Sequence, residues 1–193
     1  MTENHDAPLW DNSLLQFRNR IAASSPTPGG GAVAAVAATF AAALLRMVCV
    51  LSAKRKPDVG MEAIAAKVKI YEEELARCAE EDIRVFDRYM AARKVQGASS
   101  QADLQRCLLE CTEVPIAAAE AVVKLEAYAA EIAVNVPDFL SSDLATAQHL
   151  LDASRKGLLA NVNINLTDLG DGESKGAIFR RLEALQGKAN STS

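Results

Sequence analysis

Asp82 is the carboxylate whose position by itself points to chemistry. From Met61 to Tyr89 the chain carries a heptad repeat with Met61, Ile64, Val68, Tyr71, Leu75, Cys78, Asp82, Val85 and Tyr89 at its a and d positions. All are apolar or amphipathic except Asp82. An ionised carboxylate on a buried seam is costly unless it is paired or used. A structural reading pairs it with a buried arginine such as Arg46, or opens the seam to solvent there. A functional reading makes it a carboxylate put to use in a site.

A second group suits anions. Pro26-Thr27-Pro28-Gly29-Gly30-Gly31 stands directly before an Ala- and Leu-rich run from Ala32 to Ala53. Such a turn at a helix start presents unpaired N–H groups and the positive end of the helix dipole, which fits a carboxylate or phosphate. It lacks the GxxxxGK(S/T) pattern of a phosphate loop, and a steric hinge is the plain alternative. Lys54-Arg55-Lys56 closes the same helix, where three cations suit its dipole whatever else they do. Asn161, Asn163 and Asn165 alternate with Val162, Ile164 and Leu166. Asparagine inside a helix seeks backbone groups or ligands, so the stretch reads as a special backbone or a polar pocket wall. Cys107 and Cys111 share a helix face with no histidine near them in sequence, and read as inert buried thiols.

The elements that must hold these groups are helices. Trp10, Leu14, Phe17 and Ile21 mark an amphipathic first helix from about Leu9 to Ala23. The run from Ala32 to Ala53 is apolar on every side and reads as a buried central helix. It is also long enough to span a bilayer, but alanine is nearly neutral toward lipid and Arg46 would be costly there. A third helix, capped by Asp58, runs to about Lys94. A fourth runs from about Gln101 to Val134, and Pro115 inside it frees the carbonyl of Cys111 and should kink it. Ser141-Ser142-Asp143 caps a fifth, and first-turn Asp143 favours the dipole with or without a function. Leu169 to Gly172 is a loop before a last amphipathic helix with Ile178, Leu182 and Leu185. The expected fold is all-α, one helical bundle over residues 1–193 around a central Ala-rich helix, with tails at 1–8 and 187–193.

Half of the 193 residues are hydrophobic but only 5% aromatic, so the core must be close-packed from small side chains. A net charge of −4 with no basic cluster argues against a nucleic-acid partner. Four cysteines without CxxC spacing and two histidines leave little for a metal site. The polar, acidic N-terminus is not a signal peptide, and a cytoplasmic, reduced protein without a membrane partner is expected.

Four segments together resemble the cyclodeaminase/cyclohydrolase family. They are Ser24 to Ser52 with its PTPGGG turn, EEDIRVFDRYMAA from Glu80 to Ala92, CTEVPIAAAE from Cys111 to Glu120, and Ser141 to Leu166 ending in NVNINL. This family includes the C-terminal domain of formiminotransferase-cyclodeaminase and stand-alone bacterial methenyltetrahydrofolate cyclohydrolases. The resemblance implies an all-helical homodimer with a folate site near the subunit interface, and a reaction that needs no metal or redox cofactor. It implies hydrolysis of 5,10-methenyltetrahydrofolate to 10-formyltetrahydrofolate, or the closure of 5-formiminotetrahydrofolate with release of ammonia. A non-catalytic folate-binding or helical assembly module is the alternative of another class. Asp82 falls on the Asp of the family's D-x-x-x-F segment, and Asn161 and Asn165 in its Asn-rich segment. The catalytic set expected on this basis is Asp82, with Asp143 second, and Lys56. Thr27, Gly29, Gly30, Gly31, Arg55, Ser142, Asn161 and Asn165 are the expected substrate-binding residues. Two places depart from the family. Lys54-Arg55-Lys56 stands where it often has Gly-Lys-Lys, and Val136-Pro137-Asp138-Phe139 where it tends to have Gly-Asn-x-Asn.

Overall fold

The Ala-rich stretch forms the helix α2, Gly30–Arg55, and three longer or comparable helices surround the core with it. The computed structural model describes residues 8–55, 59–94 and 98–189. In order, α1 is Leu14–Ile21, α3 Val59–Ala92, α4 Ala98–Ala133, α5 Ser141–Asp168 and α6 Glu173–Ala189, and no strand occurs among the described residues. Helix α2 packs on α3, α3 on α4, α4 on α5 and α5 back on α2, a closed ring of four, with α6 laid on α4. The connections between successive members are short, which makes neighbours antiparallel. Leu45, Val68, Leu75, Ile116, Val122, Leu125, Leu151 and Leu158 fill the centre with almost no exposure.

The heptad of α3 faces inward as its spacing requires. Met61, Ile64, Val68, Leu75 and Val85 are buried, while Tyr71, Cys78, Asp82 and Tyr89 are half-buried. Pro115 is buried inside α4. Gly157 of α5 lies against Ala34 of α2, where a Cβ on the glycine would come within 3.3 Å of the alanine Cβ. The two helices therefore approach closely.

Four sequence expectations need correction. The first helix is broken: Leu9–Asp11 is a 3₁₀ turn, and α1 starts after Ser13 in a capping box with Gln16. Its Leu14 and Leu15 face solvent, and Trp10 anchors the segment by donating from Nε1 to the Ala76 carbonyl at 3.0 Å. Secondly, α2 is not buried all round. Val33, Ala37, Phe40, Leu44, Met47 and Leu51 form a half-buried to exposed row, with Phe40 at 44% and Val50 beside the row at 46% exposure. Thirdly, Gly30 and Gly31 are themselves the first residues of α2. Fourthly, Ser141 to Asp143 are the first turn of α5 rather than its cap. A 3₁₀ turn, Asp138–Leu140, leads in, and no side chain caps α5. Asp58, expected as the cap of α3, lies outside the described residues. By length and mean hydropathy (2.2) α2 could cross a membrane, yet half of that stretch is buried within this bundle.

Candidate active site

The start of α2, the last third of α3, the first half of α4 and the end of α5 meet at one end of the ring. Gly31 is there because Asp82 is. A Cβ at Gly31 would overlap Asp82 Oδ1 and stand 2.8 Å from both Cγ and Oδ2. A Cβ at Gly30 would stand 3.3 Å from Asn161 Nδ2. The glycine run thus lets the helix terminus, with its free N–H groups, sit directly on a carboxylate and a carboxamide. Thr27 ties the turn down, its Oγ1 donating to Asp87 Oδ1 at 2.9 Å.

Asp82 is half-buried and has no cation beside it. Arg46, the structural partner considered for it, pairs instead with Glu72 at 2.7 Å. Among the described residues no Lys, Arg or His forms an ion pair with Asp82. Burial pushes its carboxyl up from 3.8 to about 6, and the Ala32 N–H at the start of α2 pulls the other way without cancelling it. The result is a base that changes charge close to neutral pH. Cys111 shares the cleft, but burial and then the Asp82 charge push its thiol up to about 12, so it stays protonated.

The asparagine stretch is regular helix. Asn161 and Asn165 are one turn apart on the inner side of α5, and Asn163 between them is exposed. Asn161 Nδ2 donates to the Gly157 carbonyl at 2.9 Å, and Asn165 Nδ2 to the Cys111 carbonyl at 2.8 Å. These groups enclose a cleft of about 190 Å³, lined also by Pro26, Thr27 and Gly29 and by the apolar Val85, Phe86 and Ile164. Val85 is on the heptad seam, whereas Phe86, the Phe of the D-x-x-x-F segment, and Ile164, between the asparagines, were not among the expected site residues. The signal for Phe86 is its place one turn after Asp82. Ile164 is 65% exposed and breaks the rule that a large aliphatic residue turns inward.

Asp82, Thr27, Gly29, Gly30, Gly31, Asn161 and Asn165 thus converge, and three other expected residues do not join them. Arg55 ends α2, and Ser142 and Asp143 begin α5, at the opposite end of the ring. Eighteen residues of helix separate Asp143 from Asn161, about 27 Å at the α-helical rise. Arg55 there lies over the Phe139 ring at 5.3 Å, so the altered segment Val136 to Phe139 is also remote from Asp82. Lys56 lies outside the described residues. No three His, Cys, Asp or Glu side chains among the described residues are grouped as a metal would need.

Comparison with known proteins agrees with this architecture. The family model described as formiminotransferase-cyclodeaminase matches residues 13–184. The chain is 29% identical over 187 residues to formimidoyltransferase-cyclodeaminase of Sus scrofa, covering 92% of this chain but only 35% of that protein. It therefore spans about a third of the two-activity proteins it matches. It is also 29% identical over 189 residues to methenyltetrahydrofolate cyclohydrolase of Methylorubrum extorquens, covering 93% of this chain and 91% of the relative. The crystal structure of formiminotetrahydrofolate cyclodeaminase from Thermotoga maritima superposes with a TM-score of 0.87 at 28% identity, over 95% of this chain and 92% of that one. With the helical ring, the glycine-led helix and the asparagine wall all in place, the chain belongs to the formiminotransferase-cyclodeaminase family.

Proposed function

We propose that this protein hydrolyses 5,10-methenyltetrahydrofolate to 10-formyltetrahydrofolate, with Asp82 as the general base. The supporting observation is the half-buried Asp82 carboxyl, without a cation partner and with a pKa of about 6, set in a cleft beside the N-terminus of α2. The methenyl carbon belongs to a delocalised cation and is already electrophilic. A carboxylate beside it stabilises that cation and accepts one proton from the attacking water. The adduct opens when the bond from this carbon to the ring nitrogen N5 breaks and Asp82 returns the proton to that nitrogen. The remaining hydroxyl proton leaves as the formyl C=O forms. One water is consumed and one proton released.

Cyclodeamination is the second reading, favoured by the name and close superposition of the Thermotoga maritima structure. In that direction Asp82 would serve proton transfer to the departing ammonia. The test is to follow loss of the methenyl absorbance band above its spontaneous rate, and separately ammonia release from 5-formiminotetrahydrofolate. Acceleration of the first alone supports the hydrolase. Ammonia release without acceleration of the first makes it a cyclodeaminase, and neither activity overturns both.

The working form we propose is a homodimer. A cleft of about 190 Å³ is smaller than the roughly 300–1,000 Å³ of complete small-molecule pockets, so part of the substrate's enclosure must come from elsewhere. The exposed row Val33, Ala37, Phe40, Leu44, Met47 and Leu51 has alternating steps of four and three, the spacing of a helix seam. Its midpoint falls between Phe40 and Leu44. Two copies packed antiparallel on this row by a two-fold axis would set Arg55 of one copy beside the Gly30 end of the other. Residues at opposite ends of one chain would then share one site, with a cation available to the glutamate tail of a folate.

A further inference from the structure

The proline inside α4 governs an atom of the cleft. Pro115 has no N–H to give to the carbonyl four residues earlier, and its ring forces that carbonyl away from the helix axis. The carbonyl is that of Cys111, and it accepts instead from Asn165 Nδ2 of α5 at 2.8 Å. A carbonyl oxygen can only accept, so the amide atom facing it must be the NH₂. Asn165 Oδ1 is thereby turned from the anchor and has no partner among the described residues. Asn161 is held in the same sense, its Nδ2 on the Gly157 carbonyl.

We propose that Pro115 is a positioning residue. By handing the Cys111 carbonyl to Asn165, it fixes Asn165 Oδ1 as an acceptor toward the cleft, where it reads a hydrogen-bond donor on the ligand. With Asn161 oriented alike, this wall presents the two amide oxygens as acceptors, beside the second N–H of each amide. Opposite Asn165 Oδ1 it favours a ring edge that carries an N–H or NH₂ group over an analogue with a carbonyl or ring acceptor at that position. The catalytic consequence rests on the hydrolase reading above, whereas the amide orientation does not.

The experiment has two arms. In the ligand-free protein, ¹⁵N–¹H spectra of the side-chain amides report whether the Asn165 NH₂ is held. It exchanges slowly in the native protein, and in Pro115→Ala, where the alanine N–H competes for the Cys111 carbonyl, it exchanges faster. In turnover of methenyltetrahydrofolate, Pro115→Ala raises KM by roughly three- to tenfold, the worth of one neutral hydrogen bond, with kcat little changed. Its melting temperature does not fall, since removing an interior proline restores a helix bond. Asn165→Ala gives the same KM, and adding Pro115→Ala to it changes nothing further. Unaltered exchange of the Asn165 amide in Pro115→Ala overturns the proposal, and so do KM effects that multiply in the double variant. If the native protein turns over no folate, the hydrolase reading fails, and the amide spectra alone decide the positioning role.

Discussion

The two ends of the antiparallel pair α2 and α5 are built differently. At one end short side chains are crowded together: Gly31 meets Asp82 at a distance that leaves no room for a Cβ, Gly30 lies tightly against Asn161, and the carboxylate has no cation beside it. At the other end Arg55 is exposed over a half-exposed Phe139, and an exposed Ser142 and a half-buried Asp143 stand on a helix start without a side-chain cap. The first end spends stability on geometry, since a buried charge and a glycine-rich helix start both cost free energy. The second shows only what any helix terminus tolerates. Motif matching gives both ends equal standing. Burial and distance separate them, and only a second copy would join them.

The largest effect should come from Asp82→Asn. Turnover is expected to fall at least about 100-fold, in the range lost with a general base. Stability should move the opposite way. The folded carboxyl sits at about 6 instead of 3.8, so its ionised form is penalised in the native state. That penalty is absent below pH 4, grows between about 4 and 6, and is constant above; at most it amounts to roughly 3 kcal/mol. Urea melts at pH 7.5 should show Asp82→Asn as the more stable protein, with the advantage vanishing near pH 4.

Gly31→Ala sharpens the contrast between a glycine forced by a neighbour and one that is not. Its methyl must displace Asp82, so a loss of about 1–3 kcal/mol is expected together with most of the activity. Gly187→Ala, in α6 with nothing within 4 Å of the added Cβ, should leave activity intact and gain roughly 0.5–1 kcal/mol. Equal behaviour of the two in thermal melts and turnover would erase the distinction.

Met47→Glu tests whether the two ends work together. A charge on the exposed row of α2 should yield monomers by light scattering and raise KM, while the bundle keeps its helical circular dichroism. The smallest effect is assigned to Arg55→Ala, a KM rise of about tenfold or less with kcat nearly unchanged. A monomeric Met47→Glu protein with native kinetics would confine the site to one chain.

The sequence disclosed what depends on helical period and on one residue's own chemistry. Asp82 stood out because a 3.5-residue repeat puts it inward, and Pro115 because a missing N–H frees the carbonyl of Cys111. What accepts that freedom, Asn165, is 54 residues away, and no local pattern encodes the pairing. The exposed row of α2 was hidden for a different reason. In a helix of Ala, Val and Leu the inner and outer faces have the same composition, so no polar side marks the surface. The break before α1 was in fact legible, because Ser13 and Gln16 stand at capping-box spacing, but the apolar period overrode it. Ser142 and Asp143 match the family's motifs and Arg55 keeps only the charge of one, and motif order says nothing of which end of a helix faces which.

The pH dependence of kcat/KM for methenyltetrahydrofolate, corrected for spontaneous hydrolysis, tests the role of Asp82 most directly. If the buried carboxylate is the base, kcat/KM rises tenfold per pH unit up to about 6, levels above it, and loses that limb in Asp82→Asn. A profile flat between pH 5 and 7, or the same limb persisting in Asp82→Asn, would contradict it.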